Sequence, residues 1–268
     1  MHTDKICMLY TDSDQASKNI AACVLKNDFT ENDNGLFEHS SGSIFLHKID
    51  GPLLNVSEEA LPKYDIFYFL SGHSSSAGVA SMTVHAEGNW TNEALLGGKP
   101  MELSVATPTN MLNALLNMEK DKTDLEKTYE ATHHGPLLTK PSCFIEIGGN
   151  LEVRNSIAYA ELLSRIIMNT ALQEECEFSK IAIGIGGTHY AMKFTKLAKE
   201  KGYAFSHMMP KHGLSANAED NAIMLKQALE RSVPKAEMAV IDWKSIKSQD
   251  RQDVVRMLND WGVEYERV

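Results

Sequence analysis

Apolar and polar positions along the chain fall into two rhythms. Short apolar runs at residues 6–10, 43–47, 66–70, 103–106, 143–147, 181–185 and 238–241 read as β-strands. Between them, apolar residues recur at helical spacing. Val153, Ile157, Ala160, Leu163 and Ile167 step by three and four, which predicts one buried helix face over 152–172. Asn110 is placed to cap a helix that carries Met111, Leu115 and Met118. Further helices are predicted over 190–201, 217–231 and 245–260. The polar stretch 28–42, rich in Gly, Asn and Ser, reads as a loop, and the charged stretch 119–129 as an exposed helix end. Strands alternating with helices predict an α/β protein with a mixed central sheet and flanking helices. No repeat and no long linker interrupts the pattern, so residues 1–268 are expected to form a single domain.

A hydrophobic share of 43% and a charged share of 23% are ordinary for a soluble globular protein, and 268 residues can bury a substantial core. The net charge of −10 narrows the picture further. It argues against a surface that coats nucleic acid broadly, yet leaves room for a local basic strip that holds one. Cys7, Cys23, Cys143 and Cys176 are far apart and form no CxxC pair, so they read as reduced core residues of an intracellular protein. The start, Met1-His-Thr-Asp-Lys-Ile-Cys-Met-Leu-Tyr, lacks the basic end and long apolar run of a secretion signal. No apolar segment approaches the roughly 20 residues needed to span a bilayer. A soluble, cytoplasmic protein without a membrane partner is expected.

Candidate chemistry concentrates where predicted strands begin or end. Glu130-Ala-Thr-His133-His134-Gly135-Pro136 places three metal ligands or proton carriers within five residues, just before a Gly-Pro break. Two adjacent imidazoles are costly to bury and redundant for packing, although a solvated turn would also carry them. His73 follows the predicted strand 66–70 at its carboxyl end, where α/β sheets collect ligands. In Ser81-Met-Thr-Val-His85, alternation puts Met82 and Val84 on one face of a strand and Thr83 and His85 on the other. His85 then faces either a polar cavity or water. Glu146 stands inside an otherwise apolar strand, a position that is expensive unless the carboxylate is paired or metal-bound. Gly184-Ile-Gly186-Gly187-Thr188-His189 joins a strand to a helical pattern, a geometry that cradles anions on backbone N–H groups. Lys193, Lys196 and Lys199 add a basic strip beside it, which a solvated helix face explains equally well without the loop. Five of the ten histidines fall in these motifs, and their mixture with carboxylates suits Zn2+. The HExxH metalloprotease and GxSxG serine-hydrolase patterns are absent.

Together these segments carry a family resemblance. SGHSS at 71–75, SMTVHAEGN at 81–89, EATHHGP at 130–136, PSCFIEIGG at 141–149 and GIGGTHYAMKFT at 184–195 resemble the archaeal and plant type of D-aminoacyl-tRNA deacylase. Their order and spacing cover about residues 60–215. Gly72 stands where the family pattern carries Arg, and Asn150-Leu-Glu-Val-Arg154 stands where it carries an acidic or aromatic cluster. The resemblance implies an intracellular enzyme that hydrolyses the ester between a D-amino acid and the 3′ end of tRNA. It implies a fold similar to the phosphorylase and peptidyl-tRNA hydrolase type of α/β protein, and zinc dependence with two ions per chain. No obligate protein partner is implied, and a monomer is expected.

An aminoacyl ester is already activated, so such an enzyme needs a nucleophilic water, an oxyanion stabiliser and orientation. On this reading Glu130, His133 and His134 are the expected catalytic residues. His73, His85, His133, His134 and Glu146 are the expected metal ligands. Gly186, Gly187, Thr188, His189, Lys193 and Lys196 are expected to receive the terminal phosphate or ribose of the substrate. Two rivals stay open at this stage: a peptidyl-tRNA or small-ester hydrolase on the same scaffold, and a non-catalytic RNA- or metal-binding module.

Overall fold

In the computed structural model, which describes residues 4–32, 35–74, 78–173 and 176–268, the predicted apolar runs lie in strand structure, except that Ser43 precedes its strand and the run 103–106 is split at Ser104 between strands of two different sheets. The strands β1 (Ile6–Thr11), β2 (Phe29–Glu31), β3 (Phe37–His39), β4 (Ile44–Ile49), β5 (Ile66–His73) and β6 (Ser81–His85) belong to one large sheet. A two-stranded ribbon of β7 (Gly88–Asn89) and β8 (Glu102–Leu103) follows. The chain then rejoins the large sheet through β9 (Val105–Ala106), β10 (Glu126–Tyr129) and β11 (Pro141–Gly148). A second, all-parallel sheet holds β12 (Lys180–Ile185), β13 (Tyr203–Met209), β14 (Met238–Ile241) and β15 (Glu264–Arg267). The helices are α1 (Gln15–Val24), α2 (Pro108–Glu119), α3 (Leu151–Asn155), α4 (Ile157–Leu172), α5 (Met192–Lys201), α6 (Ala218–Glu230) and α7 (Ser248–Asp260).

The large sheet runs β10-β6-β11-β5-β1-β4-β3-β2, with β9 beside β11. It is mixed, because β11 lies parallel to β5 and antiparallel to β6. This pairing positions the site: the register sets Glu146 of β11 beside Ser71 of β5 and Thr83 of β6. Alternation along the strands divides the core. Met8, Tyr68, Leu70 and Ile145 turn toward one face and cluster with residues of α1, α2 and α4. Cys7, Leu9, Phe67, Phe69 and Phe144 turn to the other. Ile183, Ile185 and Ile241 of the second sheet pack with Leu225 of α6 and Leu258 of α7. Each such fully buried Leu, Ile or Phe stabilises the fold by roughly 1.5–3 kcal/mol.

Periodicity fails where tertiary partners decide. Residues 28–42 contain the antiparallel pair β2–β3, with Phe29 and Phe37 packed against the core. The stretch 119–129 is not a helix end, since α2 stops at Glu119 and β10 pairs in parallel with β6. Thr128 tolerates full burial there because its hydroxyl meets Thr195 Oγ1 at 2.9 Å. The helix predicted over 152–172 breaks at Ser156, whose hydroxyl caps α4, and Ile157 is left exposed. Thr107, rather than Asn110, occupies the N-cap position of α2, while buried Asn110 accepts a hydrogen bond from Tyr68 Oη at 2.9 Å. α1, β13 and β15 lie outside the predicted elements. In β13 the polar pair Ser206-His207 interrupts the apolar run that would have marked it. Ser75 of the SGHSS motif lies outside the described residues. No helix among the described residues is long and apolar enough to cross a membrane.

The two sheets meet along residues 129–132. The Tyr129 carbonyl accepts from Ala191 N–H at 2.9 Å, Ala131 N–H donates to the His189 carbonyl at 2.8 Å, and Thr132 N–H to the Met208 carbonyl at 2.9 Å. The segment that carries Glu130 and the two histidines is thereby stitched between β10 and the second sheet.

Candidate active site

Three strand ends converge at this seam. His73 closes β5, Glu130 follows β10, and His189 lies in the loop after β12. Glu146 near the end of β11 forms a second acidic point. Ser71 Oγ–H donates to Glu146 Oε1 at 2.5 Å, and His85 Nε2 lies 3.3 Å from Glu146 Oε2. His73 Nδ1 is 3.9 Å from the same oxygen.

Glu130 is fully buried and ringed by imidazoles. The Nε2 atoms of His189, His73, His133 and His85 stand 3.3, 3.7, 3.8 and 4.0 Å from its oxygens. Neither oxygen has a hydrogen-bond partner among the described residues, and neither do His73 Nε2 and His189 Nε2. Backbone carbonyls fix the tautomers of the neighbours. His133 Nδ1–H donates to the Ala131 carbonyl at 2.8 Å, and His134 Nδ1–H to the Gly135 carbonyl at 2.7 Å. A carbonyl only accepts, so each ring in its neutral form keeps its lone pair on Nε2, the arrangement of a metal ligand or a base.

Local backbone makes this loop possible. His134 adopts φ +47°, a conformation that costs a non-glycine residue roughly 1–2 kcal/mol. Its carbonyl is held by Gly88 N–H at 2.7 Å. A side chain at Gly135 would run into Gly97, Gly98 and the Leu54 carbonyl, so the turn admits only glycine there.

Burial, then the neighbouring imidazoles, pushes His133 well below the ordinary histidine range. Burial, followed by His85, takes His134 down to about 3. Burial also pulls on His85, but the hydrogen bond and charge of Glu146 outweigh it and lift His85 to about 9. Glu146 feels burial upward, but the hydrogen bond and charge of His85, with the charges of His134 and His73, together outweigh it and leave Glu146 below the usual carboxylate range. Glu87 is pushed up to about 7, chiefly by burial. It accepts from Ser142 Oγ at 3.0 Å, and its other oxygen has no partner among the described residues.

Ligand atoms gather into three overlapping groups, each within 4.8 Å: His73, Glu130, His133 and His189; His85, His133 and His134; His85, Glu130 and Glu146. These nitrogen and carboxylate donors suit Zn2+. A buried carboxylate without hydrogen bonds is the observation that fits a cation best, because only a partner of opposite charge offsets its lost hydration. The cluster opens into a cavity of about 1080 Å³, lined among others by Asp14, His73, His133, Glu146 and Thr188.

All seven histidines and glutamates expected at the site therefore come together: His73, His85, Glu130, His133, His134, Glu146 and His189. The basic strip does not. Lys193 Nζ is bound by Asp242 Oδ1 at 2.5 Å, Lys196 pairs with Glu200 at 3.8 Å, and neither lines the cavity. The glycine loop also spends its donors internally, with Gly186 N–H on the Met209 carbonyl and Gly187 N–H on Ser245 Oγ. Helix α5 starts only at Met192, so the loop does not open directly onto a helix N-terminus. Thr188 reaches the cavity.

Several residues that sequence reasoning passed over prove central. Ser71 holds Glu146, and Asp14 accepts from Gly72 N–H at 2.7 Å at the cavity wall. A Cβ at Gly72 would sit 2.7 Å from Ala16 Cβ, so α1 packs too closely for a larger residue. His207 is fully buried behind the motif. Its Nε2–H donates to the Ser104 and Arg231 carbonyls at 3.1 and 3.0 Å, which leaves Nδ1 to accept from Thr132 Oγ–H at 3.2 Å. Burial foremost takes it down to about 4. Asp14 had a readable signal, an N-cap aspartate ahead of an apolar helix. His207 had none.

Comparison with known proteins identifies the family and the fold. A protein from Pyrococcus furiosus named D-aminoacyl-tRNA deacylase is 36% identical, covering 96% of this chain and 98% of that one. The protein of that name from Methanocaldococcus jannaschii is 31% identical over 98% of this chain and 100% of its own. A crystal structure of a conserved protein of unknown function superposes with a TM-score of 0.86 at 29% identity, covering 100% of this chain and 96% of that one. The family model described as D-aminoacyl-tRNA deacylase matches residues 60–266, a span that takes in the motif histidines and the strands β5 to β14, and the chain belongs to that family.

Proposed function

We propose that the protein hydrolyses the ester joining a D-amino acid to the 3′ end of tRNA, releasing free D-amino acid and tRNA. The observation that carries this reading is Glu130, fully buried, without a hydrogen bond among the described residues, and encircled by four imidazole Nε2 atoms. Family membership supplies the substrate class. Residues His73, His85, His133, His134 and Glu146 would hold Zn2+, and the overlapping donor groups are compatible with two ions. When bound, the ion supplies Lewis acidity, polarising a carbonyl and acidifying water.

The chain's own residues do the rest. Hydrolysis adds water oxygen to the ester carbonyl carbon, breaks the bond to the ribose 3′ oxygen, and leaves the displaced proton on that oxygen. His133 and His134 line the cavity and stay unprotonated at neutral pH, and whichever of the two does not hold the ion has its Nε2 lone pair available to the proton of water. Positive charge arising at His133 is stabilised by Glu130, 3.8 Å from its Nε2. Ser71 holds the Glu146 carboxylate in one orientation. Because the site draws on both sheets, we read residues 1–268 as one domain.

The test is the release of D-tyrosine and of L-tyrosine from charged tRNA, with and without a chelator. D-tyrosine should be freed much faster, and chelation should stop the reaction. Equal rates for the two enantiomers would replace this reading with that of a general ester hydrolase.

A further inference from the structure

The cavity of this acidic protein contains a cation that the histidine cluster does not explain. Arg154 is the one lysine or arginine among the described residues that line it. It sits on α3, a short turn of helix that follows directly from the strand carrying Glu146. Gly149, at φ +140°, lets the chain fold back there, since a Cβ would stand 3.0 Å from the Val153 side chain. Asn150 Oδ1 accepts from Val153 N–H at 2.9 Å, and the Asn155 carbonyl accepts from Asn19 Nδ2 of α1 at 3.0 Å. The arginine is thus carried on a helix tied at both ends.

Its surroundings leave the guanidinium without a structural task. Asp14 and Glu146 line the same cavity, but their oxygens are already taken. Asp14 accepts from Ala16 and Gly72 N–H, and Glu146 from Ser71 with His85 beside it. Several basic residues elsewhere pair with acids, as Lys193 does with Asp242, Lys199 with Glu119 and Arg165 with Asp121, while others such as Lys211 and Lys235 stand exposed to water. Arg154 has no ion pair among the described residues, and its Nε is sealed from water without an acceptor. A donor left in that state favours any ligand that brings an acceptor to it.

We propose that Arg154 anchors the phosphodiester on the 5′ side of the terminal nucleoside, and so fixes how far the acceptor strand enters the cavity. The inference rests on the reading of this cavity as the ester-hydrolysing site. With the ester at the histidine cluster, the nearest anion of the substrate is that phosphate. A guanidinium fork matches phosphate oxygens in pairs, which a lysine cannot do. Substrate recognition then divides in two: imidazoles and carboxylates address the aminoacyl ester, and Arg154 requires that the alcohol be a nucleotide rather than a nucleoside. The anchor so placed differs from the glycine loop and the α5 lysines, whose donors are engaged within the fold.

The experiment compares the wild-type protein with Arg154→Ala and Arg154→Lys. Binding of adenosine 5′-monophosphate, adenosine and inorganic phosphate is measured by calorimetry, and turnover with the 3′-D-tyrosyl esters of the nucleotide and the nucleoside. Wild type should prefer the nucleotide over the nucleoside by about tenfold or more, the scale of a lost charged hydrogen bond. Arg154→Ala should lose that preference, raising KM for the nucleotide ester with little change in kcat. It should leave the nucleoside ester unaffected, which also shows an intact fold. Arg154→Lys should keep part of the preference. An undiminished preference in Arg154→Ala overturns the anchor, as does a wild type with no preference. Inorganic phosphate binding as tightly as the nucleotide also overturns it, in favour of a free-phosphate site. If the wild type hydrolyses neither these esters nor D-tyrosyl-tRNA but keeps an Arg154-dependent preference for the nucleotide, the deacylase reading falls and with it the placing of the acceptor strand, and Arg154 is left as a nucleotide-phosphate site.

Discussion

A carboxylate removed from water and left without a hydrogen bond destabilises a fold unless something replaces its hydration. Glu130 is such a group, and its four imidazole neighbours can replace that hydration only by protonation or by sharing a cation. Burial, foremost, holds His133 unprotonated, and His85, lifted to about 9 chiefly through Glu146, stands 4.0 Å from Glu130 against 3.3 Å from Glu146, so a cation shared with the nearer rings is the better account. Glu130→Gln separates the two roles. It should lower the zinc retained after dialysis, measured by elemental mass spectrometry, and reduce kcat by roughly 100-fold or more. With the metal removed, it should melt at or above the wild-type temperature, because a neutral amide is cheaper to bury than a charge. Unchanged zinc and unchanged turnover would make Glu130 a packing residue. The histidines of this cluster were legible in the sequence because imidazoles beside carboxylates at strand ends have no packing rationale. Arg154 was not, because its meaning depends on what does not pair with it.

Elements show where sequence periodicity carries and where it stops. The apolar runs that became β1, β5, β11 and β12 are buried by their own composition, so they were readable. β10 and β13 were not, since Thr128, Ser206 and His207 are buried only through partners supplied by other elements. His207 gives this a measurable consequence. Its folded-state value of about 4 lies below the ordinary 6.5, so between those values the unfolded chain binds the extra proton. The contribution is complete above pH 6.5 and is lost as the pH falls toward 4, by roughly 3 kcal/mol in all. Urea midpoints at pH 7.5, 6 and 5 should fall more steeply for wild type than for His207→Gln, which cannot titrate. Parallel losses in the two proteins would show that His207 carries no such burden.

At the scale of the whole molecule, the candidate active site exists only because two sheets meet, and the same meeting engages the basic face of α5 within the fold. A lysine repeat at helical spacing says nothing about a carboxylate 49 residues further on, yet Asp242 at the end of β14 takes Lys193 at 2.5 Å. The Asp242 carbonyl in turn holds Ser245 Oγ, which receives Gly187 N–H, so helix, glycine loop and the turn after β14 form one network. Asp242 is nearly buried while the lysine side chain is 44% exposed, so water partly screens the pair. Lys193→Ala should therefore cost about 1 kcal/mol, a loss of about 2–4 °C in melting temperature. KM for D-aminoacyl-tRNA and its dependence on salt should stay at wild-type values, in contrast to the effect expected of Arg154→Ala. Calorimetric melting and steady-state kinetics across a salt series decide the matter. A raised KM with a weakened salt dependence and unchanged melting would return Lys193 to the RNA surface, and the Asp242 pair would then be a contact that substrate displaces.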